Sequence, residues 1–228
     1  MFLRPPTPYR RRDKLLQTVL AGPMRDYLTV PLPEPTTDVR DLKLLAVDVE
    51  TTGMDPRRDE ILSVGFVPID GLSIDLSRAR RYVVRSDRGV GQSAAIHGIT
   101  DDAVASGTPL LHVLTEVLSA LRGRVLLAHF TDMEEGFISV GCNRIFGARM
   151  PCTRIDTLEL QRRIIVGHRH GEAPPGTLRL WAARRRYGLP VYRAHQALVD
   201  AIACAELFLA QVAEMTTAGP ITLKDLAS

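Results

Sequence analysis

Leu44-Leu45-Ala46-Val47-Asp48-Val49-Glu50-Thr51-Thr52-Gly53 is a continuous apolar run that ends in two acids and a turn. A strand with apolar residues on both alternating faces is buried on both sides, as in the centre of an α/β sheet. Asp48 and Glu50 are two residues apart, so both carboxylates point to one face of that strand. Two carboxylates side by side repel and are costly to desolvate. A divalent cation relieves both costs, and oxygen ligands suit Mg²⁺ or Mn²⁺. The alternative is a strand end that emerges into water with both acids solvated.

Outward from this run, Ile61–Ile69 and Arg81–Arg85 read as two further strands, joined antiparallel by turns at Gly53-Met54-Asp55-Pro56 and Asp70-Gly71. The period then changes. Leu110, Leu114, Val117, Leu118 and Leu121 recur at helical spacing before Gly123. Val125–Ala128 is a short buried strand, and helices follow over Glu134–Phe146 and Leu178–Tyr187. Leu198, Ala201, Ile202, Ala205, Phe208, Leu209 and Val212 form the stripe of a last long helix. Strands followed by alternating strand and helix predict an α/β domain with a mixed sheet and flanking helices.

The 228 residues are 45% hydrophobic and 24% charged, with a formal net charge of +3. This composition excludes a wholly disordered chain. No apolar run reaches the roughly 20 residues of a membrane span, so no membrane is expected as partner. Cys142, Cys152 and Cys204 have neither metal-type spacing nor the number for a disulfide framework, which predicts a reducing, cytoplasmic setting. Within residues 1–20, Arg4, Arg10, Arg11, Arg12 and Lys14 face only Asp13, a net of +4. The segment Leu15–Ala21, interrupted by Gln17 and Thr18, is too short and polar for a leader's apolar core. Residues 1–41 are expected to be a basic arm and a Pro-rich extended connector, residues 42–215 the folded domain, and residues 216–228 a tail. The arm is either a solvated segment or a contact for nucleic acid or a partner.

Two further constellations carry chemistry. His195 and Asp200 lie five apart at the start of the last helix, with Asp200 about one turn in on a side not far from His195, which an ordinary helix start would also give. Glu134 has a structural competitor, since Thr131-Asp132-Met133-Glu134 fits a capping box. Residues 161–186 hold Arg162, Arg163, Arg169, Arg179, Arg184, Arg185 and Arg186 against Glu172, which is either a phosphate-binding patch or a solvated face. Gly89-Val90-Gly91-Gln92-Ser93-Ala94 lacks the long helix that a dinucleotide site requires. His168-Arg169-His170 reads as a polar loop rather than a metal site, and Trp181 as a core residue.

Taken in order, these residues resemble the DEDDh (DnaQ-like) 3′–5′ exonuclease family, related to proofreading subunits of bacterial replicative polymerases. Asp48-Val49-Glu50-Thr51-Thr52-Gly53 resembles its D-x-E-T-T-G. Ala128-His129-Phe130-Thr131-Asp132-Met133-Glu134-Glu135-Gly136-Phe137 resembles its A-H-N-x-x-F-D-x-x-F. His195-x4-Asp200 resembles its third motif, and Ile96-His97-Gly98-Ile99-Thr100 the segment between the first two. The chain departs from the pattern at Glu134, where Asp is usual, and at Phe130, where Asn is frequent; Asp132 is the rival acid.

The resemblance implies an RNase H-like fold over about Leu42–Val212 and hydrolysis of phosphodiesters at 3′ ends of single-stranded nucleic acid. DNA is the expected substrate, RNA the alternative, and nucleoside 5′-monophosphates the products. It implies two divalent cations, Mg²⁺ or Mn²⁺. Asp48 would bridge both, Glu50 and Asp200 would complete one, and Glu134 would serve the other directly or through water. His195 would be the general base. Thr51, Thr52, Gly53 and His97 would line the terminal nucleotide's pocket, with a plain turn histidine the competing reading of His97. A polymerase or another replication or repair protein would be the partner. The departure at Glu134 leaves a second reading, a weakened binding or docking module of the same fold.

Overall fold

The computed structural model describes residues 7–167 and 172–228. Its centre is a six-stranded mixed sheet of β1 (Lys43–Thr51), β2 (Ile61–Asp70), β3 (Ser73–Ile74), β4 (Arg80–Val83), β5 (Val125–Ala128) and β6 (Arg154–Asp156). The order is β3-β2-β1-β5-β6, with β4 also paired to β2. Strands β1 and β2 are antiparallel, while β1, β5 and β6 run parallel. The expected mixed sheet is therefore present, with two short strands, β3 and β6, that the sequence hides. Arg154-Ile155-Asp156 is too short, with one apolar residue, to carry a periodic signal.

Strand β1 is apolar on both faces because each face meets its own core. Leu45, Val47 and Val49 join one cluster with Leu114, Val117 and Leu118 of α5 (Leu110–Leu121) and Phe137 and Ile138 of α6 (Thr131–Phe146). Leu44 and Ala46 join a second with Leu160 of α7 (Thr157–Val166) and Cys204, Ala205 and Phe208 of α9 (Ala197–Met215). The result is three layers, helix, sheet and helix.

The segment before Leu42 differs from the extended connector expected. It holds two helices, α1 (Pro8–Leu16) and α2 (Pro23–Thr29). Met24, Tyr27 and Leu28 are buried in the first core, and Tyr27 Oη donates to the Pro151 carbonyl at 2.7 Å. Pro8 and Pro23 begin these helices, where a missing N–H costs nothing. Of the connector's four prolines, Pro23 is thus a helix starter, while Pro31, Pro33 and Pro35 lie outside helices. The segment after Met215 is also docked: Ile221, Leu223 and Leu226 enter the second core. Val39 N–H donates to Ile221 O, and Leu223 N–H to Thr37 O, at 2.9 Å each. This ties the stretch just before β1 to the segment after α9. No helix of the described residues is long and apolar enough to cross a membrane.

Candidate active site

The site lies where the parallel strands end, the usual place for ligands in open α/β sheets. Asp48 stands near the end of β1, opposite Gly65 of β2. A Cβ on Gly65 would overlap the backbone of Ala197 and Leu198. Glycine at 65 therefore lets the first turn of α9 rest on the sheet, and that turn carries Asp200. Asp48, Glu50 and Asp200 each place a carboxylate oxygen within 4.8 Å of the others.

His195 adopts a left-handed backbone, φ 62°, immediately before α9. In that turn, its N–H donates to Asp200 Oδ2 at 2.7 Å, and Gln196 N–H to the same oxygen at 3.2 Å. Asp200 is therefore fixed by one oxygen, while Oδ1 is buried with no hydrogen-bond partner. The His195 side chain is exposed.

Glu134 is buried in the first turns of α6 and does not form the capping box. The cap comes from β6: Asp156 accepts Phe130 N–H at 2.9 Å and Thr131 N–H at 3.0 Å. It also caps α7 through Leu158 N–H. Relieved of capping, Glu134 adds its charge to that around Asp48, and its Oε2 has no partner. Asp132, the rival acid, is exposed and paired with Arg154 at 2.6 Å.

Burial, then the charges of Glu134, Asp200 and Glu50, lift the Asp48 pKa well above the usual carboxylate range. Burial, aided by Asp200 and opposed by Arg81, pushes Glu50 up to about 7. Burial also raises Glu134 and Asp200, the latter against the two backbone donors. Glu50 Oε1, Glu134 Oε2 and Asp200 Oδ1 are thus buried acceptors without donors, beside charges that repel. Hard oxygen ligands left unsatisfied in this way fit a divalent cation.

The other expected contacts have structural partners. Thr51 Oγ1 donates to Gly53 O at 2.6 Å, and Thr52 Oγ1 accepts Glu60 N–H at 3.0 Å. A Cβ on Gly53 would strike the Asp59 carboxylate. The T-T-G stretch therefore closes the β1–β2 turn, with Thr52 N–H also donating to Glu60 O at 3.0 Å. His97 Nδ1 accepts Ile99 N–H at 3.0 Å, so Nε2 carries the proton and donates to Ser93 Oγ at 2.9 Å. Burial, then the nearby His195, lowers the His97 pKa.

The basic stretch largely dissolves into ion pairs. Arg184 is buried and donates to Glu206 at 2.7 Å and to the Ala203 carbonyl at 2.6 Å, with its guanidinium over Tyr192. Arg162 and Arg163 pair with Glu159, and Arg186 with Glu214. Arg179 and Arg185 are exposed, while Arg169 and its neighbouring histidines lie outside the described residues. Trp181 is only partly buried, against the Arg184 guanidinium. His129, a motif residue with no role expected from the sequence, is a brace in the fold. Its Nε2–H donates to Leu178 O at 2.8 Å and its Nδ1 meets Thr157 Oγ1 at 2.9 Å, which holds the segment before α8 (Leu180–Arg186) against the sheet.

A mixed sheet with acids gathered at the ends of its parallel strands defines a class by its fold, the RNase H-like proteins. Within that class, residues 45–208 match the exonuclease family RNase_T, and the chain belongs to it as a DnaQ-like 3′–5′ exonuclease. DNA polymerase III PolC-type of Staphylococcus haemolyticus is 31% identical over 205 residues, covering 86% of this chain. The corresponding protein of Thermotoga maritima is 28% identical over 191 residues, covering 82%. The chain spans only 13% of the length of each. Among solved structures, the nuclease domain of 3′hExo bound to rAMP superposes with a TM-score of 0.64 at 17% identity, covering 84% of this chain and 98% of that one. E. coli Exonuclease I with a dT13 oligonucleotide gives 0.63 at 17% identity, covering 78% and 42%. These likenesses share the fold.

Proposed function

We propose that this chain removes nucleotides from the 3′ end of single-stranded nucleic acid, DNA in preference to RNA, and releases nucleoside 5′-monophosphates. The observation that carries this reading is the convergence of Asp48, Glu50 and Asp200, with unsatisfied buried oxygens on Glu50, Asp200 and Glu134. Asp48, Glu50, Asp200 and Glu134 would hold two divalent cations, Mg²⁺ or Mn²⁺. When bound, such a pair neutralises the phosphate and stabilises both the attacking and the leaving oxygen.

The residues of the chain do the rest. Asp200 keeps its free oxygen aimed because two backbone N–H groups hold the other. An imidazole nitrogen of His195 takes the proton of the attacking water as the water oxygen bonds to phosphorus and the phosphorus–O3′ bond breaks. An imidazole suits that task because its ordinary pKa lies near neutrality. The backbone of Thr51, Thr52 and Gly53 faces the terminal nucleotide, and His97 braces the neighbouring turn. Glu134 reaches its position because Asp156 has taken over the helix cap.

The PolC-type relatives suggest a polymerase, or another replication or repair protein, as partner. The three buried free cysteines suit a reducing, cytoplasmic setting.

The test is digestion of 5′-labelled single-stranded DNA and RNA with Mg²⁺, Mn²⁺ or EDTA, beside His195→Ala and Asp48→Asn. A ladder shortening from the 3′ end, absent in EDTA and in Asp48→Asn, supports the reading. His195→Ala should still bind metal and lose roughly 10²–10⁴ in rate. Retained binding without digestion under either metal would instead indicate the weakened binding or docking module.

A further inference from the structure

We infer that Phe130 is a base-stacking residue that selects an intact nucleobase at the 3′ end. This deepens the exonuclease reading and rests on it. The residue is the second of the two between the end of β5 and α6, where the backbone turns with φ 80°. Left-handed backbone costs an L-residue roughly 1–2 kcal/mol, which Gly escapes and Asn reduces. A phenylalanine is a poor choice for that turn on conformational grounds.

Packing does not repay it. The side chain is 43% exposed, and Phe130 belongs to none of the three apolar clusters. Phe66, Phe137 and Phe208, by contrast, are buried. A strained, exposed aromatic that contributes to no core points to function rather than folding.

Its place says which function. Ala46 of β1 pairs with Leu127 of β5, and the strands are parallel, so continuing the register sets Asp48 level with His129. Phe130 is the next residue after His129 and stands one turn before Glu134. The mount is rigid: Asp156 holds the N–H groups of Phe130 and Thr131, and Phe130 O accepts Met133 N–H at 3.1 Å. A flat apolar ring held this way beside a phosphate-cleaving centre matches the π-face that every unpaired base presents. Because every base has that face, the ring reads the presence of a base, not its identity.

The test uses the full chain carrying Asp48→Asn, which blocks hydrolysis and removes one negative charge facing the nucleic acid. Its affinity for a 5′-fluorescein oligonucleotide, DNA and RNA in separate arms, is compared with that for the same oligonucleotide carrying abasic nucleotides at its 3′ end. Asp48→Asn should lose roughly ten- to hundredfold on the abasic end. Asp48→Asn/Phe130→Asn should bind both ends alike, at the weaker level, and Asp48→Asn/Phe130→Trp should keep the preference. In the otherwise native chain, Phe130→Asn should raise KM by a similar factor while increasing Tm by a few degrees, because asparagine relieves the turn. An equal preference for the intact base with and without the ring, or none in Asp48→Asn, overturns the proposal. Failure of the wild-type chain to shorten oligonucleotides with Mg²⁺ or Mn²⁺ would refute the exonuclease reading instead, and the affinity comparison is independent of it.

Discussion

A carboxylate forced to share a pocket with three others is unstable there until something neutralises it. Burial and like charge raise the acids of this site, and Glu50 reaches about 7 against an ordinary 4.5. Its folded pKa is the higher one, so between about 4.5 and 7 the folded chain binds more protons than the unfolded chain. Stability then falls as pH rises through that window, by at most about 1.4 kcal/mol per pH unit for each proton, and stays low above it. In EDTA, thermal unfolding should therefore show a lower Tm at pH 8 than at pH 5, and Asp48→Asn should raise the Tm at pH 8 although it abolishes hydrolysis. Mg²⁺ or Mn²⁺ should raise the wild-type Tm more at pH 8 than at pH 5. An Asp48→Asn Tm no higher than the wild-type Tm at pH 8 in EDTA would refute this account of the cluster. His129 works in the opposite sense: burial holds it down to about 4, so its contribution is lost as pH falls from about 6.5 to 4.

At the scale of elements, the site is an assembly of ends. Strand β1 contributes Asp48 and Glu50, α6 contributes Glu134, and α9 contributes Asp200 with His195 just before it. Their closeness depends on one missing methyl group. Gly65 faces the backbone of Ala197 and Leu198, and a side chain there must lift α9 from β2. Gly65→Ala should cost about 1–3 kcal/mol in urea denaturation, as overpacking does, and should reduce hydrolysis far more than it reduces stability. The second loss follows because a displacement of about 1 Å in a catalytic group can cost a hundredfold in rate. Wild-type turnover in Gly65→Ala would show that the approach of α9 is unimportant. The cap of α6 is a similar long-range device, since Asp156 comes from a strand that begins more than 20 residues after Thr131.

Over the whole molecule, the stretch before β1 is part of the domain's stability. Leu28 is fully buried on α2 against the same core as β1, α5 and α6. Leu28→Ala should cost about 2–5 kcal/mol, read as a lower urea midpoint, whereas an extended tether would lose nothing. A truncation meant to remove only a docking arm would therefore strip part of the first core. The segment after Met215 has the same character in the second core, through Ile221, Leu223 and Leu226.

The features that the sequence alone determined are those written in short-range periodicity. The apolar run through Leu44–Val49 declares a strand covered on both faces, because every second residue on each side must leave water. The stripes of α5 and α9 declare helices with one buried face. The two-residue spacing of Asp48 and Glu50 sets both acids on one side of the strand, whatever they bind. Tertiary structure decided the contests between equally good local readings. Thr131 and Glu134 spell a capping box, but Asp156 arrives from β6 and frees Glu134. Pro8 and Pro23 suit an extended chain or a helix start, and burial of Met24, Tyr27 and Leu28 selects the helix. Arg184 belongs to a basic run, yet Glu206 and the aromatic faces of Trp181 and Tyr192 draw it inside. Gly65 carries no local signal at all, since its reason is the backbone of a helix more than 130 residues away. Each of these outcomes depends on a partner distant in the chain, and local propensity contains no information about which distant group will come near.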